Sequence, residues 1–167
     1  MRRSVVVIVV LAGCSVAPRG DAPQATANQE YAVNATVIRV VDGDTVDFDI
    51  GGTKERVRLI GIDTPETKKP DAPVQCYGPE ASAFTESPLP KGTRVHLERD
   101  VEARDKYNRL LAYVYLADGT FVNLAIVRGG YAHLLTIPPN VTHADDIVAA
   151  ARAAEAENAG LWGGCTG

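Results

Sequence analysis

The chain has 167 residues, which is long enough for one domain with a hydrophobic core and too short for two ordinary domains. Its 17 Lys and Arg residues against 21 Asp and Glu residues give a formal net charge of −4. This acidic balance argues against a non-specific coat for nucleic acid, which needs a broad basic surface, but it is compatible with an enzyme that has a small basic cleft.

The N-terminus has the features of a bacterial export signal. Met1-Arg2-Arg3 precedes an apolar run from Ser4 to Leu11, which is shorter than the roughly 20 residues needed to cross a membrane. Leu11 to Cys14 resembles a lipobox, in which the cysteine is acylated and becomes the first mature residue. We therefore expect a lipoprotein signal peptide over residues 1–13, a lipid on Cys14 and a location outside the cytoplasm. Ordinary signal cleavage, giving a secreted protein without a lipid, is the alternative.

Residues 14–33 are rich in Ala, Pro, Gln, Asn and Thr, and this composition predicts a flexible tether ahead of a domain over residues 34–167. The chain has three cysteines, and if Cys14 carries the lipid, Cys76 and Cys165 remain as a pair. Disulfides persist outside the cytoplasm, so we predict a bridge between these two residues. In the loop-entropy description such a bridge contributes about 4 kcal/mol.

The first part of the domain predicts a three-stranded meander. Ala35 to Val41 is rich in β-branched residues and ends at a turn at Asp42-Gly43, after which apolar and acidic residues alternate from Thr45 to Ile50. Gly51-Gly52 forms the next turn, and Arg56 to Ile62 is the third predicted strand.

The second part alternates helices and strands. Thr142 is the predicted N-cap of the last helix, with Asp145 as its reciprocal partner. The pattern predicts two more strands and three helices: helix Glu80–Glu86, strand Thr93–Arg99, strand Leu110–Leu116, helix Val122–Val127 and a helix from Ala144 to about Asn158. The predicted fold class is α+β, a five-stranded OB-fold β-barrel with three helices.

Polar residues at the end of the third strand point to a function rather than to stability. Asp63, Thr64, Pro65 and Glu66 follow an apolar strand that needs none of them for packing. Arg58 and Asp63 have opposite parity, so a regular strand would direct them to opposite faces of the sheet. We therefore predict a bulge or bend near Gly61, where glycine tolerates the required backbone angles.

The acidic residues suit a hard cation. Asp44, next to the first turn, and Asp63, at the end of the third strand, can supply two carboxylates to which a carbonyl and waters add the oxygens that Ca²⁺ prefers. Glu66 is close enough to orient or deprotonate a water. Arg58 and Arg109 can grip a phosphate and hold its developing negative charge. Together these residues fit metal-assisted phosphodiester hydrolysis.

The same residues lie in segments that resemble the staphylococcal nuclease family over about residues 35–162. The resemblance rests on five segments in the family's order: Val41 to Val46, Arg58 to Ile60 with Asp63 to Lys68, Tyr77 to Ala81, Asp105 to Tyr113, and Gly160 to Trp162. It implies an OB-fold barrel with three helices. It also implies a monomeric, Ca²⁺-dependent nuclease that acts on DNA and RNA and leaves 3′-phosphate and 5′-hydroxyl ends.

The resemblance also implies a role for each matching residue. In the family's pattern Ca²⁺ is held by Asp44, Asp63 and the main-chain carbonyl of Thr64, and the water-activating or water-positioning carboxylate is Glu66. The remaining matches bind phosphate: Arg58 and Arg109 clamp the scissile group, and Lys106 and Tyr107 line the pocket for a terminal phosphate.

The chain departs from the family at two places. Asn108 stands where the family often has glycine, a mild change because Asn tolerates a left-handed turn conformation. The segment 132–139 lacks the two tyrosines that the family offers near the bound base and phosphate. Stacking on an aromatic side chain contributes about 1–3 kcal/mol per base, so we expect weaker or differently selective substrate binding.

A non-catalytic OB-fold module that binds nucleic acid or a protein at the cell envelope is the alternative function. Such a module would have lost catalytic residues. This chain retains the full set: Asp44, Arg58, Asp63, Glu66 and Arg109. The sequence therefore favours the enzyme.

Overall fold

A computed structural model describes residues 31–68 and 73–165. The predicted meander is present as β1 (Ala35–Asp42), β2 (Thr45–Ile50) and β3 (Thr53–Leu59), in which each strand is antiparallel to the next. Val46, Phe48 and Val57 point into the core, as the alternating pattern requires. The predicted export signal, tether and Cys14 lie outside the described residues.

A second pair of strands closes the barrel. β5 (Arg94–Glu98) runs antiparallel to both β1 and β6 (Leu110–Leu116), and β6 runs parallel to β3. The strand order is therefore β1-β2-β3-β6-β5 in a closed ring. A closed sheet leaves no unpaired edge, and the five-stranded barrel predicted from the sequence is confirmed.

The third predicted strand is divided. β3 begins at Thr53 and ends at Leu59, and a separate short strand, β4 (Gly61–Asp63), leaves the barrel and pairs with β7 (His133–Leu135). Gly61 has φ 84°, which confirms the predicted bend at this residue. β7 was not predicted, because its three residues are all exposed and form no alternating pattern.

The three predicted helices are present as α1 (Gly78–Glu86), α2 (Val122–Arg128) and α3 (Ala144–Ala156), and one further turn forms α4 (Leu161–Gly164). The predicted N-cap at Thr142 is wrong: His143 occupies that position and makes no side-chain cap bond. Thr142 instead donates its N–H and hydroxyl to the carboxylate of Asp100, at 2.9 Å each. No helix in residues 31–68 and 73–165 is long and apolar enough to cross a membrane.

The hydrophobic core joins the barrel to the helices. Phe48, Leu59 and Tyr113 are fully buried on the barrel side, and Ile126 and Ile147 bring α2 and α3 against them. A Cβ atom built at Gly61 would lie 2.6 Å from Cδ1 of Ile147, so α3 packs directly on the bend before β4. The position of β4 therefore depends on both the barrel and α3.

Three cations surround one buried carboxylate on the outer face of the meander. Asp47 is fully buried, and Arg39, Lys54 and Arg56 approach its oxygens at 2.8–3.1 Å. Burial raises the pKa of Asp47, but the hydrogen bonds from the three cations outweigh this effect and hold the pKa far below its ordinary value. The Asp47 carboxylate therefore stays ionised and neutralises part of the positive charge of the three surrounding cations.

Two glycines, Gly130 and Gly160, allow the segment after α2 to contact the start of α4. The carbonyl of Gly130 accepts the N–H of Leu161 at 2.8 Å, and Gly130 has φ 74°. A Cβ atom at Gly130 would overlap the carbonyl oxygen of Ala159. This backbone contact fixes α4 against the rest of the helices.

We predict that Gly130→Ala strongly destabilises the protein, because both the left-handed backbone and the overlap with Ala159 oppose a side chain. Gly52→Ala is the matched control, since Gly52 also has a left-handed φ of 87° but no atom within 4 Å of a built Cβ. The control should lower the free energy of unfolding by about 1–2 kcal/mol. Gly130→Ala should cost about 1–3 kcal/mol more. Urea denaturation measures both, and equal losses would contradict the prediction.

Candidate active site

The guanidinium of Arg58 lies at the centre of the predicted site. Arg58 is on β3 between the core residues Val57 and Leu59, and it is only 9% exposed. Its Nη1 donates to the carbonyl of Leu59 at 2.8 Å and to the carbonyl of Ile62 at 2.6 Å. The side chain therefore holds both sides of the bend at Gly61.

The other terminal nitrogen of Arg58 joins two carboxylates. Nη2 donates to Oδ1 of Asp63 at 2.8 Å and lies 3.2 Å from Oδ2 of Asp44. The bend at Gly61 makes this possible, because it brings Asp63 to the side of the strand on which Arg58 lies. Both terminal nitrogens of the guanidinium are thereby engaged with protein oxygens.

Asp44 also holds the loop that follows β4. Its Oδ2 accepts the N–H of Thr64 at 2.9 Å and the Thr64 hydroxyl at 3.1 Å, and its Oδ1 accepts the hydroxyl of Thr45 at 2.9 Å. Gly43 leaves the space for this contact, since a Cβ atom there would lie 2.8 Å from the Thr64 side chain. Asp44, Asp63 and Thr64, predicted to act together, are therefore close neighbours.

Glu66 lies one step further along the same loop. Its Oε1 accepts the N–H groups of Thr67 and Lys68 at 2.9 and 2.8 Å, so one carboxylate oxygen is fixed by the backbone. The neighbouring acid is Asp42, whose Oδ1 accepts the hydroxyls of Thr67 and Ser82 at 3.0 Å each. The pKa of Asp42 is below its ordinary value: burial raises it, but the hydrogen bonds that the carboxylate accepts from the Gly43 N–H and from these hydroxyls contribute to lowering it.

Arg109 is oriented by a carboxylate of its own. Asp105 accepts the N–H of Arg109 at 2.9 Å and its Nε at 2.6 Å. Burial raises the pKa of Asp105, but these bonds outweigh it and lower the pKa below its ordinary value. Asn108 has φ 62°, the left-handed conformation expected where the family often has glycine. The tight turn 105–109 therefore presents Arg109 in a fixed direction.

A cleft of about 440 Å³ brings the cationic residues together. Arg58, Arg109, Lys106 and Tyr107 all line it. Tyr107 is 68% exposed, and its ring lies 5.0 Å from Nζ of Lys106 and 5.3 Å from Cζ of Arg109. An exposed ring between two cations offers an anion both positive charge and an apolar surface.

Part of the lining of the same cleft is aliphatic. Leu135, at the end of β7, and Ile137 line it, and they are 37% and 58% exposed. Both belong to the region in which the sequence lacks the family's two tyrosines. A base that enters here meets branched aliphatic side chains rather than aromatic rings.

The oxygen atoms near Asp63 fit a hard cation. The Asp63 side chain is 56% exposed, and its Oδ2 receives no hydrogen bond from the described residues. With Asp44, whose two oxygens already accept hydrogen bonds, and the Thr64 carbonyl, it could supply oxygen ligands of the kind that suit Ca²⁺. No group of three or more His, Cys, Asp or Glu residues suited to a metal is found in residues 31–68 and 73–165. Waters or substrate oxygens would therefore have to complete the coordination.

The structure adds two carboxylates that the sequence analysis did not single out for a role, Asp42 and Asp105. Asp105 could have been found from its position four residues before Arg109 in a short turn, whereas the contacts of Asp42 come from α1 and the loop after β4. Four predicted site residues are not among those that line the cleft of Arg58 and Arg109: Asp44, Asp63, Thr64 and Glu66. The cysteine pair does form: Cys76 and Cys165 are joined in a disulfide with a Cα–Cα distance of 6.0 Å.

Comparison with known proteins agrees with the fold and the motifs. Residues 56–164 match the family described as staphylococcal nuclease homologue. A thermonuclease from Staphylococcus intermedius is 43% identical over 144 residues, which cover 86% of this chain and 84% of the relative. A thermonuclease from Staphylococcus hyicus is 42% identical, covering 75% and 73% of the two chains. Endonuclease YncB from Bacillus subtilis is 39% identical, covering 81% of this chain and 64% of the relative.

We predict that Arg58→Met lowers the free energy of unfolding by about 3–5 kcal/mol, because it leaves buried carboxylate and carbonyl groups without their partner. Arg128→Met is the matched control, since Arg128 makes a two-pronged contact with Glu157 but both side chains are exposed. The control should cost about 1 kcal/mol or less. Urea denaturation without added metal measures both, and similar losses in the two variants would contradict a structural role for Arg58.

Proposed function

We propose a specific reaction for this chain, which belongs to the staphylococcal nuclease family and is a nuclease. The proposed reaction is the hydrolysis of DNA and RNA with Ca²⁺, leaving 3′-phosphate and 5′-hydroxyl ends. The observation that carries the proposal is the contact of Arg58 with Asp44 and Asp63, which joins a phosphate-binding cation to two potential metal ligands. The fold and the relatives named thermonuclease and endonuclease support the same reaction class.

We propose that Asp44, Asp63 and the carbonyl of Thr64 hold the calcium ion. When bound, Ca²⁺ supplies a Lewis acid for a phosphate oxygen and positive charge beside the attacked phosphorus. Arg58 has to release one of its carboxylates before Nη2 can donate to a phosphate, since both terminal nitrogens already have protein partners. The carboxylates that Arg58 would release, Asp44 and Asp63, are the same residues that would hold the metal, so metal and substrate binding should support one another.

The two arginines and Glu66 would divide the remaining chemistry. Arg58 and Arg109 would hold the phosphate and the negative charge that develops on it during attack. Glu66 would position the attacking water or accept its proton, with one carboxylate oxygen fixed by the Thr67 and Lys68 N–H groups. Lys106 and Tyr107, which line the same cleft as Arg109, would bind a terminal phosphate.

We further propose that the enzyme acts outside the cytoplasm as a monomer, attached to the membrane by a lipid on Cys14 or secreted. The disulfide between Cys76 and Cys165 supports the compartment, because such bonds persist in oxidising surroundings. The sequence of residues 1–14 supports the anchor. Nucleic acid outside the cell or in the envelope would then be the substrate.

Digestion of plasmid DNA and of RNA tests the proposal. We expect cleavage with added Ca²⁺, no cleavage in excess chelator, and recovery when Ca²⁺ is restored. Glu66→Gln should lower kcat by about 10²- to 10⁴-fold, because it removes the carboxylate that handles the water. Calorimetric titration should find Ca²⁺ binding retained in that variant.

Asp49→Asn is the matched control for a lost carboxylate. Asp49 is exposed on β2, where Oδ1 accepts the N–H of Gly52 at 2.7 Å, and an Asn oxygen can accept the same bond. Its kcat should stay within two-fold of the unchanged enzyme. Undiminished cleavage in chelator would contradict calcium dependence, and undiminished cleavage by Glu66→Gln would contradict the role of Glu66.

The aliphatic side of the cleft leads to a second expectation. Ile137→Tyr should lower KM for single-stranded DNA by five-fold or more, because a stacked ring contributes about 1–3 kcal/mol per base. Val141→Tyr is the control, since Val141 is also exposed but does not line the cleft. Steady-state kinetics at one salt and one Ca²⁺ concentration compare the variants, and an unchanged KM in Ile137→Tyr would contradict the expectation.

A further inference from the structure

One residue holds both backbone polar groups of Glu66. The side-chain Oε1 of Gln75 accepts the N–H of Glu66 at 2.8 Å, and the N–H of Gln75 donates to the carbonyl of Glu66 at 3.0 Å. Neither bond uses the Glu66 carboxylate, whose Oε1 accepts the N–H groups of Thr67 and Lys68. Gln75 therefore fixes the backbone from which that carboxylate projects.

The next residue along the chain is covalently anchored. Cys76 is bonded to Cys165, which follows α4 and lies 89 residues away in sequence. α4 is itself fixed, because its first residue, Leu161, donates to the carbonyl of Gly130. The segment that carries Gln75 is thus tied to the helical part of the molecule by a covalent bond.

Close packing connects this anchored segment to the loop after β4 that contains Glu66. A Cβ atom built at Gly78 would lie 2.8 Å from the Thr67 side chain and 3.3 Å from the carbonyl oxygen of Glu66. A Cβ atom at Gly164 would lie 2.6 Å from the ring of Tyr77. The start of α1 therefore lies between the Glu66 loop on one side and the disulfide-bonded end of the chain on the other.

We propose that Gln75 and the Cys76–Cys165 disulfide are positioning elements for Glu66, so that turnover of the nuclease depends on the disulfide being formed. This inference rests on the proposed role of Glu66 in handling the attacking water. Under this inference, the rate of water attack depends on whether Cys76 and Cys165 are oxidised, although both cysteines lie outside the cleft of Arg58 and Arg109.

The effect should fall on kcat rather than on binding. Arg58, Asp44 and Asp63 are held by the barrel, by the bend at Gly61 and by β4, and none of their hydrogen bonds involves residues 73–78. Loss of the anchor should leave calcium and phosphate binding intact while Glu66 loses its orientation. A misplacement of about 1 Å in a catalytic group can cost about 10²-fold in rate.

Opening the disulfide needs a reductant with two electrons and two protons. A dithiol such as dithiothreitol supplies them: the Sγ–Sγ bond breaks, Cys76 and Cys165 become thiols, and the dithiol becomes a cyclic disulfide. An oxidised disulfide or dioxygen outside the cytoplasm reverses the change. The same exchange can therefore be followed in both directions on one sample.

The test compares four variants with the unchanged enzyme on single-stranded DNA in saturating Ca²⁺. Cys76→Ser with Cys165→Ser removes the anchor, Gln75→Met removes the acceptor for the Glu66 N–H, and Gln75→Glu restores an acceptor at the same place. Gly52→Ala is the control for general loss of stability, because it strains a turn away from the site. All are assayed at a temperature at which near-ultraviolet circular dichroism shows them folded.

We expect the double serine variant and Gln75→Met to lower kcat by about ten- to hundred-fold, with KM and the calorimetric Kd for Ca²⁺ within two-fold of the unchanged enzyme. Gln75→Glu should recover much of the loss, and Gly52→Ala should keep its kcat. Dithiothreitol should lower kcat of the unchanged enzyme and have no effect on the double serine variant.

Each other outcome is decisive. Full kcat in the folded double serine variant, or equal kcat in Gln75→Met and Gln75→Glu, overturns the inference and leaves the proposed function intact. If Gly52→Ala loses as much kcat as the double serine variant does, the loss in both reflects lower stability, and the inference is also overturned. No Ca²⁺-dependent cleavage by the unchanged chain contradicts the proposed function itself, and the inference with it.

Discussion

A buried guanidinium between two carboxylates and two carbonyls is the interaction on which the rest of the site depends. Arg58 lies on β3, but its partners lie in the turn before β2, on both sides of the bend at Gly61 and at the end of β4. Burial of an ion is costly unless its geometry and hydrogen bonds compensate. The bend therefore has to form for the arginine to be buried, and the arginine holds the bend in place.

Each arginine of the cleft is oriented by acids: Arg58 by Asp44 and Asp63, and Arg109 by Asp105. These acids reduce the field that a phosphate experiences, but they also remove the freedom of two long side chains before substrate arrives. The cleft lining still has three basic residues, Arg58, Lys106 and Arg109, against two acids, Glu102 and Asp105, in a chain whose net charge is −4. Substrate affinity in such a cleft depends on local geometry more than on overall charge.

The sequence predicted the parts of the structure that local chemistry decides. The alternation in β2, the turns beside it and the left-handed glycine at position 61 follow from residue type, and the parity conflict between Arg58 and Asp63 could be resolved only by a bend. What escaped prediction depends on distant partners. Thr142 has the right chemistry for an N-cap, but Asp100, 42 residues away, takes its hydroxyl and its N–H. β7 exists because β4 leaves the barrel beside it.

The division of the third predicted strand has a consequence for partly folded molecules. Asp44 and Arg58 belong to the barrel, whereas Asp63 lies on the ribbon that pairs with β7 and packs near α3. A chain whose barrel has formed before its helices would lack one of the two acids beside the arginine. Because the proposed metal site needs Asp63, such an intermediate would lack a metal ligand and would not cleave nucleic acid. Cleavage activity would then appear only after β4, β7 and α3 have docked on the barrel.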